Sequence, residues 1–396
     1  MAGPGSYWID KKEIEEVMDV LESGYLFRYG DLEDKNFKHK VYTFEKEFAK
    51  YCGVDYALAT SSGTSALLVS LWAMGIEPED EIIVPAYTFV ATYSSIIFAG
   101  AVPVLAEIDE SLTLDPNDIE ARITPKTKAI MPVHMLGNPC NMDAIMQIAD
   151  RHGLMVIEDA CQAGGASYKG RKLGSIGRMG GFSLNIFKTI TAGDGGIIIT
   201  NEKDLYEHAF ALHDQGHTPL RLGVQAGKRN IIGLNFRVNE LVGAVALAQL
   251  RKIDRITTTL REKKNKFKEL ISDIEGFKFR ILNDSEGECG TLCTILFDSV
   301  EKAAKVSEAL GATTVDRSGW HVYANMEHVN HYLKEVGQPY GKGAYPRTDD
   351  ILSRAVNISV GVVDAGLGAA FGININSTDE EIKTAAHTLR KACAQA

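Results

Sequence analysis

Two periods of hydrophobic and polar positions interleave along the first half of the chain. Short runs that are apolar on both faces ("YALAT" from 56, "EIIVPA" from 81, "VPVLAEI" from 102, "KAIMPVHM" from 128, "LMVIEDA" from 154, "GGFSL" from 180 and "GGIIIT" from 195) alternate with stretches of helical spacing. A strand buried on both faces belongs to a sheet covered by helices on each side, so the pattern predicts an α/β fold around a mainly parallel sheet. Active sites in such sheets gather at the C-terminal ends of the strands.

Beyond residue 238 the rhythm changes. "NELVGAVALAQLR", Asn239 to Arg251, reads as a helix with an asparagine cap and an apolar face, continuing through Ile253 into a lysine-rich stretch from Arg261 to Lys268. Short strands ("GTLCTILF", "AVNISV") and helices ("DEEIKTAAHTLRKA") then mix, which predicts a smaller α+β unit over 251–396 behind a large domain over 1–250. One segment imitates a membrane span: Ile82 to Ala106 carries no charge over 25 residues. Pro85 and Pro103 divide it into strand, helix and strand, with Thr88 to cap the helix and Gly100 to end it, so it reads as buried core and not as a membrane segment.

The 396-residue chain is too long for one ordinary core, and its 45% hydrophobic and 24% charged residues are those of a globular protein. A net charge of -10 argues against a surface for nucleic acid or anionic membrane. The six cysteines form no C-x-x-C pair and no metal-ligand spacing, which points to reduced thiols in a cytoplasmic protein without zinc. "MAGPGSYWIDKKEIEEVM" lacks the basic start and apolar centre of a signal peptide.

Three constellations carry candidate chemistry. In "ATSSGTSALLVSLWAM", residues 59 to 74, a strand ends, Gly63 turns the backbone, and a helix opens whose free N–H groups, with the Thr64 and Ser65 hydroxyls, suit a phosphate. Alone, it reads as an ordinary capped helix. In "VIEDACQAGG", residues 156 to 165, a strand delivers Glu158 and Asp159 to its end on opposite faces, so one carboxylate points into a site, where it can hold a proton on a heteroaromatic nitrogen. Alone, it is equally a helix cap. In "GGFSLNIFKTITAGDGG", residues 180 to 196, Lys188 sits between a strand and a glycine-rich turn, five residues after Ser183. A surface lysine needs no such setting, although "GDGG" alone makes a plain hairpin turn. Together they supply what pyridoxal 5'-phosphate (PLP) needs: an anchor, a pyridinium partner and a Schiff-base amine.

At these residues the chain resembles the DegT-type sugar aminotransferases, on "SSGTSAL", "VPAYTFVAT", "IEDACQAGGASYKGRKLGSIG", "FSLNIFKTITAGDGG" and "GLNFRVNELVGAVALAQL". The resemblance covers most of residues 20 to 260. It implies PLP fold type I with a seven-stranded sheet, a homodimer with shared active sites, and transfer of an amino group from glutamate or glutamine to a keto- or aldehydo-sugar. It implies that Lys188 carries the cofactor, that Asp159 pairs with the pyridine nitrogen, that Gln162 lies near the ring and its phenolic oxygen, and that Phe89 stacks on it. Gly63, Thr64 and Ser183 are implied at the phosphate, and Asn235 at the phosphate of the partner subunit. Leu184, Asn185 and Asp194 depart from the family's usual phenylalanine, histidine or other polar residue, and glutamate. Lys188 itself disfavours the family's dehydratase branch, which has histidine there.

The acceptor is less legible. "GYLFRYG" at 24, "VHMLG" at 133, "HDQGH" at 213 and "GWHVYANMEHVNHYL" at 319 resemble a subgroup that aminates an oxidised eight-carbon acid sugar. Arg28 and Tyr29 are candidates to meet a carboxylate or hydroxyls, and His321 and Tyr323 to close the sugar side, with His134 and His213 as weaker ones; each is equally a structural residue. Competing readings are an aminotransferase for an amino-cyclitol or aminobenzoate precursor, a non-catalytic PLP-binding regulatory protein, and a nucleotide-binding α/β protein without PLP. Lys188 and Asp159 are both present, which speaks against the regulatory reading.

Overall fold

The computed structural model describes residues 3–219 and 229–396. Seven strands form its main sheet: β1 (Tyr56–Thr60), β2 (Glu81–Pro85), β3 (Val102–Ala106), β4 (Thr127–Ile130), β5 (Met155–Asp159), β6 (Met179–Ser183) and β7 (Gly196–Thr200). Their order is β1-β7-β6-β5-β4-β2-β3. Neighbours from β3 to β6 run parallel, while β7 lies antiparallel to both β1 and β6. Nearly every strand residue is buried, as runs apolar on both faces require. The architecture is a mainly parallel, helix-flanked sheet of seven strands, as the apolar runs predict.

Each of the seven apolar runs became one strand. The uncharged stretch from Ile82 divides as its prolines predict, into β2, a helix over Val90–Phe98 and β3. The cap differs from expectation. Phe89 holds the extended N-cap position without a side-chain bond, and the Thr88 hydroxyl turns inward to Thr92 at 2.7 Å. Gly100, at φ +88°, turns the chain after the helix as expected. Among the described residues no helix is long and apolar enough to cross a membrane.

The helix Glu240–Leu250 is followed within three residues by the 19-residue helix Ile253–Ile271. A second sheet, antiparallel and ordered β8 (Phe277–Phe279), β9 (Leu292–Phe297), β10 (Ala355–Ser359), follows with its own helices. The apolar core has two clusters, and each joins residues from both sides of position 250. One packs Phe48, Ile83 and Ile197 with Ile253, Ile295 and Leu389; the other packs Leu58, Ile82 and Ile157 with Leu292, Leu296 and Tyr323. The second sheet and its loops are thereby held over the C-terminal ends of the main sheet.

Candidate active site

A cavity of about 570 Å³ opens at those strand ends, lined by Gly63, Thr64, Phe89, Thr92, Asp159, Gln162, Ser183 and Lys188 together with Trp320, His321 and Asp364 from the C-terminal third. The helix Gly63–Ala73 forms its floor. Ser62 caps that helix by accepting from the Ser65 N–H at 3.0 Å, while the Ser65 hydroxyl reaches back to the Ser62 N–H at 2.9 Å. Ser65 is thus spent on the cap and does not line the cavity. The N–H groups of Gly63 and Thr64 open the helix and have no partner among the described residues. A Cβ at residue 63 would stand 2.8 Å from the Ser183 Cβ and 2.9 Å from the Cys161 sulfur, so only glycine lets the helix start approach β6 this closely. The Ser183 hydroxyl accepts from the Asn185 N–H at 3.2 Å, which leaves its proton for a ligand.

Alternation along β5 separates the two carboxylates as expected. Glu158 points away from the cavity, where it accepts from the N–H groups of Gly174, Ile176 and Gly177 and from His134 Nε2 at 3.0 Å. His134 is therefore fully buried structure: its Nδ1 accepts from the Cys140 N–H, so the ring donates at Nε2. Asp159 points into the cavity. Its Oδ2 accepts from the Thr92 hydroxyl at 2.8 Å and its Oδ1 from the Cys161 N–H at 3.1 Å, which fixes the plane of the carboxylate. Thr92 has one hydroxyl proton, so Thr88 must be the donor in the bond between the two threonines.

Lys188 follows a short irregular loop whose ends are tied. Asn185 Nδ2 donates to Asp194 Oδ1 at 3.0 Å, and the Lys188 N–H to the Asn185 carbonyl at 2.9 Å. The ammonium of Lys188 has no ion pair among the described residues. Burial lowers its pKa from the usual lysine value; Cys161, Asp159 and Asp364 oppose that fall without reversing it. His321 forms the facing wall, its ring 5.3 Å from that of Phe89. Burial, and then the charge of Lys188, lower its pKa to about 3, so it is neutral at ordinary pH. The Ser318 hydroxyl gives its proton to the Gly366 carbonyl and accepts from His321 Nδ1 at 2.9 Å, which leaves Nε2 as an acceptor with no hydrogen-bond partner among the described residues.

Other candidates lie elsewhere. Arg28 and Tyr29 line a separate cavity of about 510 Å³. The Arg28 guanidinium is buried there, with Nη2 donating to Glu45 at 2.8 Å and Nη1 to the Ala59 carbonyl at 3.4 Å and His213 Nε2 at 3.2 Å, while Nε has no hydrogen-bond partner among the described residues; none of these groups lines the Lys188 cavity. His213 is fully buried, donates from Nδ1 to the Phe210 carbonyl, and has its pKa lowered to about 3, first by burial and then by Arg28. Tyr323 is also fully buried, its hydroxyl donating to Asp349, and does not line the cavity. Asn235 is exposed outside it, with its Oδ1 accepting from the Arg237 N–H at 3.3 Å. Thr92, Leu136, Thr291, Trp320 and Asp364 are among the cavity residues that the sequence reading missed.

The donor set fits PLP: an anion cradle with free N–H and hydroxyl donors, a carboxylate held on two bonds, and an uncharged-favouring lysine share one cavity. Fold and site together define a PLP-dependent transferase of fold type I. The sequence profile of the DegT/DnrJ/EryC1/StrS aminotransferase family matches residues 8–363, and the chain belongs to that family of aminotransferases. Over 247 residues it is 42% identical to the GDP-perosamine synthase of Caulobacter vibrioides, a match spanning 62% of this chain and 63%, somewhat under two thirds, of that protein. Over 359 residues it is 33% identical to the spore coat polysaccharide biosynthesis protein SpsC of Bacillus subtilis, covering 88% of this chain and 90% of that one. The crystal structure of 3-amino-5-hydroxybenzoic acid synthase superposes with a TM-score of 0.80 at 29% identity, over 100% of this chain and 99% of the other.

Proposed function

We propose that this aminotransferase moves an amino group from glutamate or glutamine to a keto- or aldehydo-sugar, either a nucleotide-linked keto-sugar or an oxidised octulosonate. The observation that carries the reading is the common cavity of Lys188, Asp159 and the helix start at Gly63. The similarity to a GDP-perosamine synthase and to a coat polysaccharide protein supports a sugar acceptor. The likeness to an aminobenzoate synthase keeps a cyclic, non-nucleotide acceptor as the second reading.

PLP, when bound, supplies the electron sink that makes the α-proton of the donor acidic. The chain supplies the rest. Lys188 Nζ, held toward its neutral form by burial, takes that proton and later returns it on the acceptor side. Asp159, oriented by Thr92 and the Cys161 N–H, holds a proton on the ring nitrogen by a charge-assisted bond. The N–H groups of Gly63 and Thr64, with the Thr64 and Ser183 hydroxyls, bind the phosphate. Phe89 would stack on the ring, Gln162 would face its edge, and His321 Nε2 would accept from a hydroxyl of the acceptor.

A homodimer with shared sites belongs to the same proposal. It gives exposed Asn235 a role at the phosphate of the partner subunit, and a second copy would cover exposed Ile232 and Leu234 beside it. So do the division into domains 1–250 and 251–396 and a cytoplasmic location, the latter supported by six free cysteines. Adding glutamate or glutamine alone should remove the visible band of the holoenzyme and release one 2-oxo acid per site, and adding a keto-sugar should restore the band. A band unmoved by either donor would refute amino transfer.

A further inference from the structure

Arg280 is buried beneath this cavity and has no ion pair among the described residues. Its Nη groups donate to two consecutive carbonyls, Met135 at 3.3 Å and Leu136 at 2.9 Å, while Nε has no partner among the described residues. Burial lowers its pKa, so the cation is kept at a cost. What it holds is strained: Leu136 stands at φ +57°, in the left-handed region that L side chains rarely adopt, and Thr291 donates to the same Leu136 carbonyl at 3.4 Å. The strained turn aims the Leu136 N–H at Gln162 Oε1, at 2.9 Å. An N–H meets only an acceptor, so this bond sets which way the amide faces. Its Nε2, with no partner among the described residues, is left at the cavity wall.

We infer that Arg280 is a positioning residue for the cofactor pocket, acting through the strained turn at Leu136 to present the Gln162 amide as a hydrogen-bond donor. The inference rests on the Lys188 cavity being a PLP site. Without the guanidinium the turn relaxes out of the left-handed region, the Leu136 N–H swings away, and the Gln162 amide is free to turn its oxygen toward an anionic ring oxygen.

The test is a double-variant cycle on PLP-loaded protein, reading the cofactor dissociation constant and the pH midpoint of the visible band. Arg280→Met should raise the dissociation constant about tenfold, the worth of one hydrogen bond to a charged group, and shift the midpoint. Arg280→Lys, which keeps a donor, should stay within about threefold of wild type. Added to Gln162→Leu, Arg280→Met should change the constant by less than about twofold, because its target is already gone. Multiplying effects in the double variant, or an Arg280→Met protein with unchanged constant and midpoint, would overturn the inference. Should Arg280→Met not fold, Thr291→Val replaces it in the same cycle, with the same two outcomes. Borohydride labelling of Lys188 in wild type separates the levels: no label there removes the site and this inference with it, while a label beside multiplying effects removes the inference alone.

Discussion

The Thr92 hydroxyl donates to Asp159 Oδ2 at 2.8 Å, and Thr88 donates to Thr92 in turn, so two threonines one helical turn apart orient the carboxylate that faces the cavity. Removing that donor while keeping the shape, as in Thr92→Val, should cost about 1.5–3 kcal/mol of transition-state stabilisation, or roughly tenfold or more in kcat/KM. Steady-state kinetics check it. Unchanged kcat/KM would show that Asp159 needs no help from Thr92.

Lys188 carries a pH signature in the absence of cofactor. Its folded pKa lies below the ordinary 10.5, so the unfolded chain binds the proton more tightly than the native one. Between the two values stability rises with pH; below both, the buried ammonium is a constant cost. Lys188→Met should therefore raise the Tm of the cofactor-free protein at pH 7, with the gain fading as pH approaches 10.5. Thermal melts across that range test the sign.

His321 stays neutral far below physiological pH, its pKa being about 3. Replacing it with asparagine, which retains an acceptor, should change the KM for the sugar acceptor and leave the pH profile of kcat between pH 5 and 8 without a lost inflection, on the order of the ordinary histidine range. An inflection that vanishes in His321→Asn would show that the ring titrates in the working enzyme.

Arg28 is assigned to structure. Its buried pair with Glu45 ties the helix Lys40–Cys52 to β1, since Glu45 also accepts from the Ala59 N–H at 2.7 Å. Arg28→Met leaves a buried carboxylate unpaired and should cost about 3–5 kcal/mol of stability. Arg28→Met with Glu45→Leu should recover most of it. Equal losses in both proteins, measured by denaturant unfolding, would contradict the assignment.

The proposed dimer with shared sites makes a complementation prediction. Lys188→Ala and Asn235→Ala homodimers should each be nearly inactive, and mixing them through an unfolding and refolding step should restore activity, because a mixed dimer rebuilds one site with Lys188 from one chain and Asn235 from the other. A mixture no more active than its parents would place Asn235 outside the site.

The strands were legible because burial on both faces leaves an uninterrupted apolar run, and β1 and β7 coincide with "YALAT" and "GIIIT". The cradle, Asp159 and Lys188 were legible because each lies within a few residues of a strand end. Thr88 misled: a threonine before an apolar helix reads as a cap, and only the fold shows its hydroxyl turned toward Thr92. Asn185 and Asp194 looked like two separate departures from the family pattern, yet they bond to each other across the loop at 3.0 Å. Arg28, Tyr29 and Tyr323 were drawn to the site by their chemistry, but partners far off in sequence, Glu45 and Asp349 among them, hold Arg28 and Tyr323 elsewhere. Trp320 and Asp364 reach the cavity from irregular loops, where no period announces a direction.

The central claim is that one amine holds the cofactor. Borohydride reduction of the PLP-loaded protein, followed by peptide mapping, should place a single pyridoxyl group on Lys188 and find none in Lys188→Ala. A label on any other lysine, or a visible band that survives Lys188→Ala unchanged, would contradict it.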